Sequence, residues 1–203
     1  MLKKGILFVI ILLFSIVVYR NFFNNKKVEI SSTEQIQLKK HSNEFNQSVN
    51  AVITAYLGLK DAFVDADSNK IRQQTNLFIQ TLDRIDTLEL KKDTSSVYET
   101  VMSAINDINL NAQSLLHQHS VLEMRKDFSS LTDVMFPTFF YAVGYEGPKL
   151  YLQNCPMAID DSIPANWISN QYEIVNPYLG NNHPVYKSSM LHCGEVKDSI
   201  IAK

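Results

Sequence analysis

Glycine and proline are scarce in this sequence, six of each in 203 residues, and all six prolines and four of the six glycines lie after residue 136. The two residue types therefore divide the chain into two regimes. Charge of one sign is also lacking: the net charge is -2 and both signs are mixed along the chain. No basic patch or stripe stands out, so the composition gives no support for a nucleic-acid surface. There is no G-x-S-x-G, no H-E-x-x-H and no glycine-rich phosphate loop, which removes the commonest hydrolase and nucleotide-binding signals. No repeat or low-complexity segment is present, and no lipobox-type cysteine lies near the start. The length suits one domain of ordinary size plus a tail.

What is present begins with an apolar run. Two lysines precede Ile6–Val18, which only Ser15 interrupts, and Tyr19 and Arg20 follow. Residues 1–23 read as an uncleaved membrane anchor or a cleaved signal peptide. No A-x-A-like cleavage site follows. Either reading exports the remainder and places it in an extracytoplasmic, periplasmic setting, anchored to the inner membrane if the segment is retained. Residues 24–32 form a polar spacer.

Residues 33–143 carry four apolar stripes at helical spacing. The first, from about Thr33 to Asp65, comprises Leu38, Phe45, Val49, Val52, Tyr56, Leu59 and Phe63, with a polar gap at Ser42 and Ile36 off the stripe. "SSTE" (Ser31 to Glu34) offers a capping box at its start. Asp67 or Ser68 caps the second, about Asn69 to Thr87, with Ile71, Phe78, Leu82 and Ile85. After the turn "ELKKDTSS", Ser96 and Glu99 form a box ahead of Val97, Val101, Ile105, Ile108, Ala112 and Leu115. Ser120 and Glu123 form another ahead of Met124, Phe128, Leu131 and Met135, and Pro137 ends that helix. Short turns between narrow stripes predict an all-α fold, an antiparallel four-helix bundle.

Residues 144–203 lose the periodicity and hold every proline but Pro137, the single Trp and both cysteines. Their aromatic content argues against disorder. The tail is expected to be irregular and to fold back over the bundle, with short strands at "KLYLQ" and near Met190.

Cys155, Met157, Met190 and Cys193 form its chemical constellation. Thiolates and thioethers are soft donors that select Cu(I) over hard cations. His192 and His183 are nearby nitrogen donors. Two cysteines in an exported domain also pair readily as a disulfide. A Cys155–Cys193 bridge would contribute roughly 3–4 kcal/mol in the chain-entropy model. Methionines serve equally as gap-filling core residues. His117 and His119, two apart, share no helix face and suit a solvated helix end. A thiol enzyme would require one cysteine to titrate well below about 8.5, and no catalytic arrangement accompanies either one. Residues alone leave metal site and disulfide both open.

The motifs "CPMA" (Cys155 to Ala158), "NWIS" (Asn166 to Ser169), "IVNPYLG" (Ile174 to Gly180) and "MLHCGEV" (Met190 to Val196) occur in that order, and "YLGLKDAFVDAD" runs from Tyr56 to Asp67. Over roughly residues 40–196 this resembles an uncharacterised four-helix domain family of small exported proteins. That domain is also appended to CusB-like adaptors of heavy-metal efflux pumps. The resemblance implies non-catalytic handling of Cu(I) or Ag(I), with an efflux adaptor or pump as partner. It implies Cys155, Met157, Met190 and Cys193 as ligands and His192 as an alternate. Trp167, Asn176, Pro177, Tyr178 and Gly180 fill scaffold positions. The sequence departs from the family pattern in its longer "NNHPVYKSS" link, which adds His183, and in Ile168 for a usual Leu.

Overall fold

The four stripes become four long helices within residues 41–201, the part of the chain that the computed structural model describes. They are α1 (Asn43–Asp65), α2 (Ser68–Leu82), α4 (Ser95–His117) and α5 (Val121–Val134); a single turn, α3 (Thr87–Leu90), lies between α2 and α4. Every stripe residue from Phe45 to Met135 is buried except Ile105, which is half-buried. Caps set the helix starts. Asp67 Oδ1 accepts from Asn69 N and Lys70 N at 2.9 and 3.1 Å, and Ser120 Oγ accepts from Glu123 N at 3.2 Å. The polar gap at Ser42 is itself the cap of α1. Thr94, two residues before the expected Ser96, caps α4. α2 stops at Leu82 rather than near Thr87, although Ile85 beyond it is still buried. Residues 1–23, the spacer 24–32, the "SSTE" box, Ile36 and Leu38 lie outside the described residues. Among the described residues no helix is long and apolar enough to cross a membrane.

The all-α expectation is overturned. Past α5 the chain is broken at Phe136, whose extended backbone (φ -121, ψ 126) is what a following proline imposes, and it closes its helical part in a short α6 (Phe140–Ala142). Three strands follow: β1 (Leu150–Ile159), β2 (Ile163–Ser169) and β3 (Glu195–Ile200). They form an antiparallel sheet in the order β2-β1-β3. The domain is therefore mixed, helices with a sheet, and the tail is ordered. The strand at "KLYLQ" exists but extends to Ile159; the third strand starts after Met190, which sits in a turn. β1 is central and largely covered on both faces, so its sequence shows no clean alternation to read.

The sheet is tied to the helices by buried phenols and rings. Tyr56 Oη on α1 accepts from Ile168 N on β2 at 3.1 Å and bonds Thr132 Oγ1 on α5 at 2.7 Å; burial pushes its phenol above the ordinary range. Phe128 of α5 lies between Phe63 (4.7 Å between centroids), Tyr56 (5.3 Å) and Tyr178 of the tail (5.8 Å). The tail also satisfies the open end of α1, because Asn181 N donates to Val64 O at 2.8 Å and Asn182 Nδ2 to Asp65 O at 2.9 Å.

The start of α1 is latched to α3. Ser42 N and Oγ donate to the Glu89 carboxylate at 2.8 and 2.7 Å, and these bonds hold Glu89 below the usual carboxylate range. A carboxylate depressed on folding stabilises above its unfolded value, and that contribution is lost as pH falls through the folded one. Ser42→Ala is expected to cost about 1 kcal/mol through the lost cap. It should also flatten the acid limb of a melting-temperature profile between pH 7 and 3. An unchanged limb would show that the Glu89 bonds contribute nothing to acid stability.

Candidate functional site: a paired-thiol clasp

The face of β1 and β2 that carries Gln153, Cys155, Ala165 and Trp167 follows from their cross-strand register, Gln153 with Trp167 and Cys155 with Ala165. The segment 171–194 crosses this face. Gln153 Nε2 donates to the carbonyls of Gln171, Tyr172 and Glu173 at 2.9–3.2 Å, and its Oε1 accepts from Trp167 Nε1 at 2.6 Å. Asn176 then fixes the return. Its Oδ1 accepts from Tyr178 N and Leu179 N at 2.8 and 3.0 Å, which makes an Asx turn at "NPY". Its Nδ2 donates to Cys193 O and its N to Leu191 O, both at 2.8 Å. Gly194 has φ +142, and an added Cβ would lie 2.6 Å from Asn154 O. Only glycine lets the backbone pass this close.

This scaffold brings the two cysteines together, with Cys155 Sγ 2.7 Å from Cys193 Sγ. Cys155 is fully buried and Cys193 half-buried. Burial, with Cys155 alongside, pushes the Cys193 thiol up to about 12. A thiol nucleophile needs the opposite direction. Met157 and Met190 are half-buried and pack against the core, as gap-filling methionines do. His192 is exposed, and its Nδ1 lies 2.7 Å from Ile174 O. That contact requires an Nδ1–H donor, which leaves the Nε2 lone pair outward. A metal-ligating histidine has the same arrangement, one ring nitrogen held by a carbonyl and the other free. His183 is used differently, since its Nδ1 accepts from Val185 N and Tyr186 N in the loop's own turn. Among the described residues no group of three or more His, Cys, Asp and Glu side chains is gathered for a metal.

Soft donors suit a soft ion, and the spacing can be tested. Two sulfurs each about 2.3 Å from a tetrahedral ion lie about 3.8 Å apart. The pair would have to open by about 1 Å to share one ion in that geometry, and Cys193 is the half-buried partner. Bonded sulfurs lie at about 2.05 Å, so the observed spacing is nearer to a disulfide.

Gln153, Asn154 and Arg125 were not singled out by sequence reasoning. A polar residue in a strand, or an arginine between stripe positions, reads as solvent-facing. The nearest signal was the polar pair "QN" inside an otherwise apolar "LYLQNC".

Residues 52–141 match the family model described as a protein of unknown function (DUF3347). The match spans the chain from within α1 to within α6 and stops before the sheet. No curated protein and no solved structure matches.

Proposed function

We propose that this chain is an exported, non-catalytic domain that handles a soft monovalent metal, Cu(I) or Ag(I), through Cys155 and Cys193. The observation that carries the reading is the meeting of the two thiols across the clasp at 2.7 Å. His192, with its outward Nε2, is the accessory donor, and Met157 and Met190 supply thioethers from the same two segments. The metal is cargo, passed to or from a heavy-metal efflux adaptor or pump, and the N-terminal apolar segment keeps the domain at the inner membrane. The support for partner and compartment is the sequence resemblance and the apolar run of residues 6–18.

A second reading is favoured by the short sulfur spacing. Here the domain is an interaction module stapled by a Cys155–Cys193 disulfide, without metal. The two are separated by a Cu(I) competition titration of the full chain, reduced and anaerobic, against a chromogenic chelator. The metal reading expects one equivalent bound and lost in the Cys155→Ser, Cys193→Ser double variant. Because both thiols must release their protons, apparent affinity should rise about a hundredfold per pH unit between pH 6 and 8. No competition, with rapid re-oxidation to one intramolecular bridge, sinks the metal reading and leaves the staple.

A further inference from the structure

The clasp holds its shape without a sulfur bridge. Cys155 is fixed in β1 by its pairing with Ala165 of β2. On the other side, Cys193 N donates to Met190 O at 3.0 Å, and Cys193 O accepts from Asn176 Nδ2 at 2.8 Å. Leu191 O and the His192 ring are tied to Asn176 N and Ile174 O. Gln153 anchors the same segment at residues 171–173. Hydrogen bonds and packing thus bring the sulfurs together while both remain free thiols. A staple is not what keeps them adjacent.

Their spacing lies between two chemical states. From 2.7 Å, closing by about 0.7 Å makes a disulfide, and opening by about 1 Å admits a tetrahedral ion. The chain has no third cysteine, so an internal bridge can form only here. The two thiols also differ in access. Cys155 is 0 % exposed, whereas Cys193 is half-buried. An incoming reagent meets Cys193 first.

We propose that the clasp is a redox gate: a thiol–disulfide exchange site whose dithiol form takes the soft ion and whose disulfide form excludes it. What is gated rests on the Cu(I) reading above; the exchange chemistry does not. The oxidant is a small disulfide of the glutathione disulfide class. Cys193 gives up its proton, and its thiolate attacks one sulfur of that disulfide. The oxidant's S–S bond breaks, one glutathione leaves and takes up the proton, and a mixed disulfide stands on Cys193. Cys155 Sγ then attacks Cys193 Sγ, its proton going to the second glutathione as that leaves. Two protein thiols are oxidised to one bridge, and one disulfide is reduced to two thiols. The thiolate is the metal ligand, so the bridged form releases its ion without changing the ion's oxidation state. Burial, with Cys155 alongside, keeps the Cys193 thiol up at about 12 and its thiolate scarce. The gate is therefore slow and stoichiometric, not a turnover catalyst.

The test places the metal-free full chain in glutathione buffers of stepped reduced-to-oxidised ratio, quenched in acid and read by thiol alkylation and mass spectrometry. One reversible transition between two free thiols and none is expected. Far-UV circular dichroism should not change across it, because hydrogen bonds hold the clasp in both forms. The initial rate of thiol loss should rise about tenfold per pH unit between pH 7 and 9. Cys155→Ser should collect one glutathione on Cys193, and Cys193→Ser should collect none in the same time. Both forms of the natural chain, freed of glutathione, then enter the anaerobic Cu(I) competition. The disulfide form should lose the equivalent that the dithiol form binds. A bridge that never forms or never reopens in the folded natural chain, or equal adducts in the two variants, overturns the proposal. Equal Cu(I) binding by the two forms overturns the gate alone, whereas no Cu(I) binding by either removes the metal reading and the gate together.

Discussion

Trp167→Ala is expected to destabilise the domain by about 3–5 kcal/mol, the range for removing a fully enclosed large aromatic. Trp167 is 0 % exposed and sits at the junction of three things: the Gln153 side chain, the Tyr178 ring 6.1 Å away edge-on, and the backbone of Gly194. Removing the indole leaves a cavity, and it also leaves Gln153 Oε1 buried without its donor. Trp167→Phe divides the two effects. It keeps most of the volume and loses only the N–H, for about 1–3 kcal/mol. Urea unfolding followed by far-UV circular dichroism measures both. Alkylation of Cys193 should speed up in Trp167→Ala, because Gly194 loses the ring against which it packs. A loss under 1 kcal/mol would mean that the clasp does not depend on the indole.

Gly180→Ala is expected to cost about 2–5 kcal/mol, from left-handed backbone strain and from overpacking together. Gly180 has φ +56, and a Cβ there would lie 2.4 Å from Val64 O. That neighbour is backbone at the end of α1, and the next residue, Asn181, already donates to the same carbonyl at 2.8 Å. The collision cannot be relieved by a rotamer. It must push the tail away from α1, exposing the last carbonyls of the helix. The expected signs are a lower urea midpoint and faster amide exchange at Asn181. Unchanged exchange would show that the tail is held elsewhere.

The helical half was legible because each long helix has one wet face and one dry face. Phe45 to Phe63 and Met124 to Met135 repeat at three and four and are buried as that spacing requires. Asp67 and Ser120 were legible as caps, whereas Ser42, a gap in the first stripe, caps α1 without having been legible as one. α3 was not legible, since four residues carry no period. The sheet was mostly not legible either. β1 has a Pro and neighbouring polar residues, β3 is charged, and the strands are defined by pairing across long separations that no local pattern encodes. Asn176 in an Asx turn and Gly180 in left-handed backbone are conformations that suit those residue types. That Cys155 and Cys193 meet depends on the fold of everything between them. Spacing left both a shared ion and a bridge open.

Among the described residues the outward side of β2 has no strand beside it, and two of its backbone groups are not free to recruit one. Ile168 N–H is taken by the hydroxyl of Tyr56 and Asn166 C=O by that of Tyr178. Two phenols thus seal an edge that would otherwise template a fourth strand from another chain. Sheet extension is left to the β3 side, where Glu195, Lys197 and Asp198 place charges along the other border of the described sheet. Copies of the domain can therefore be crowded together without their sheets joining edge to edge.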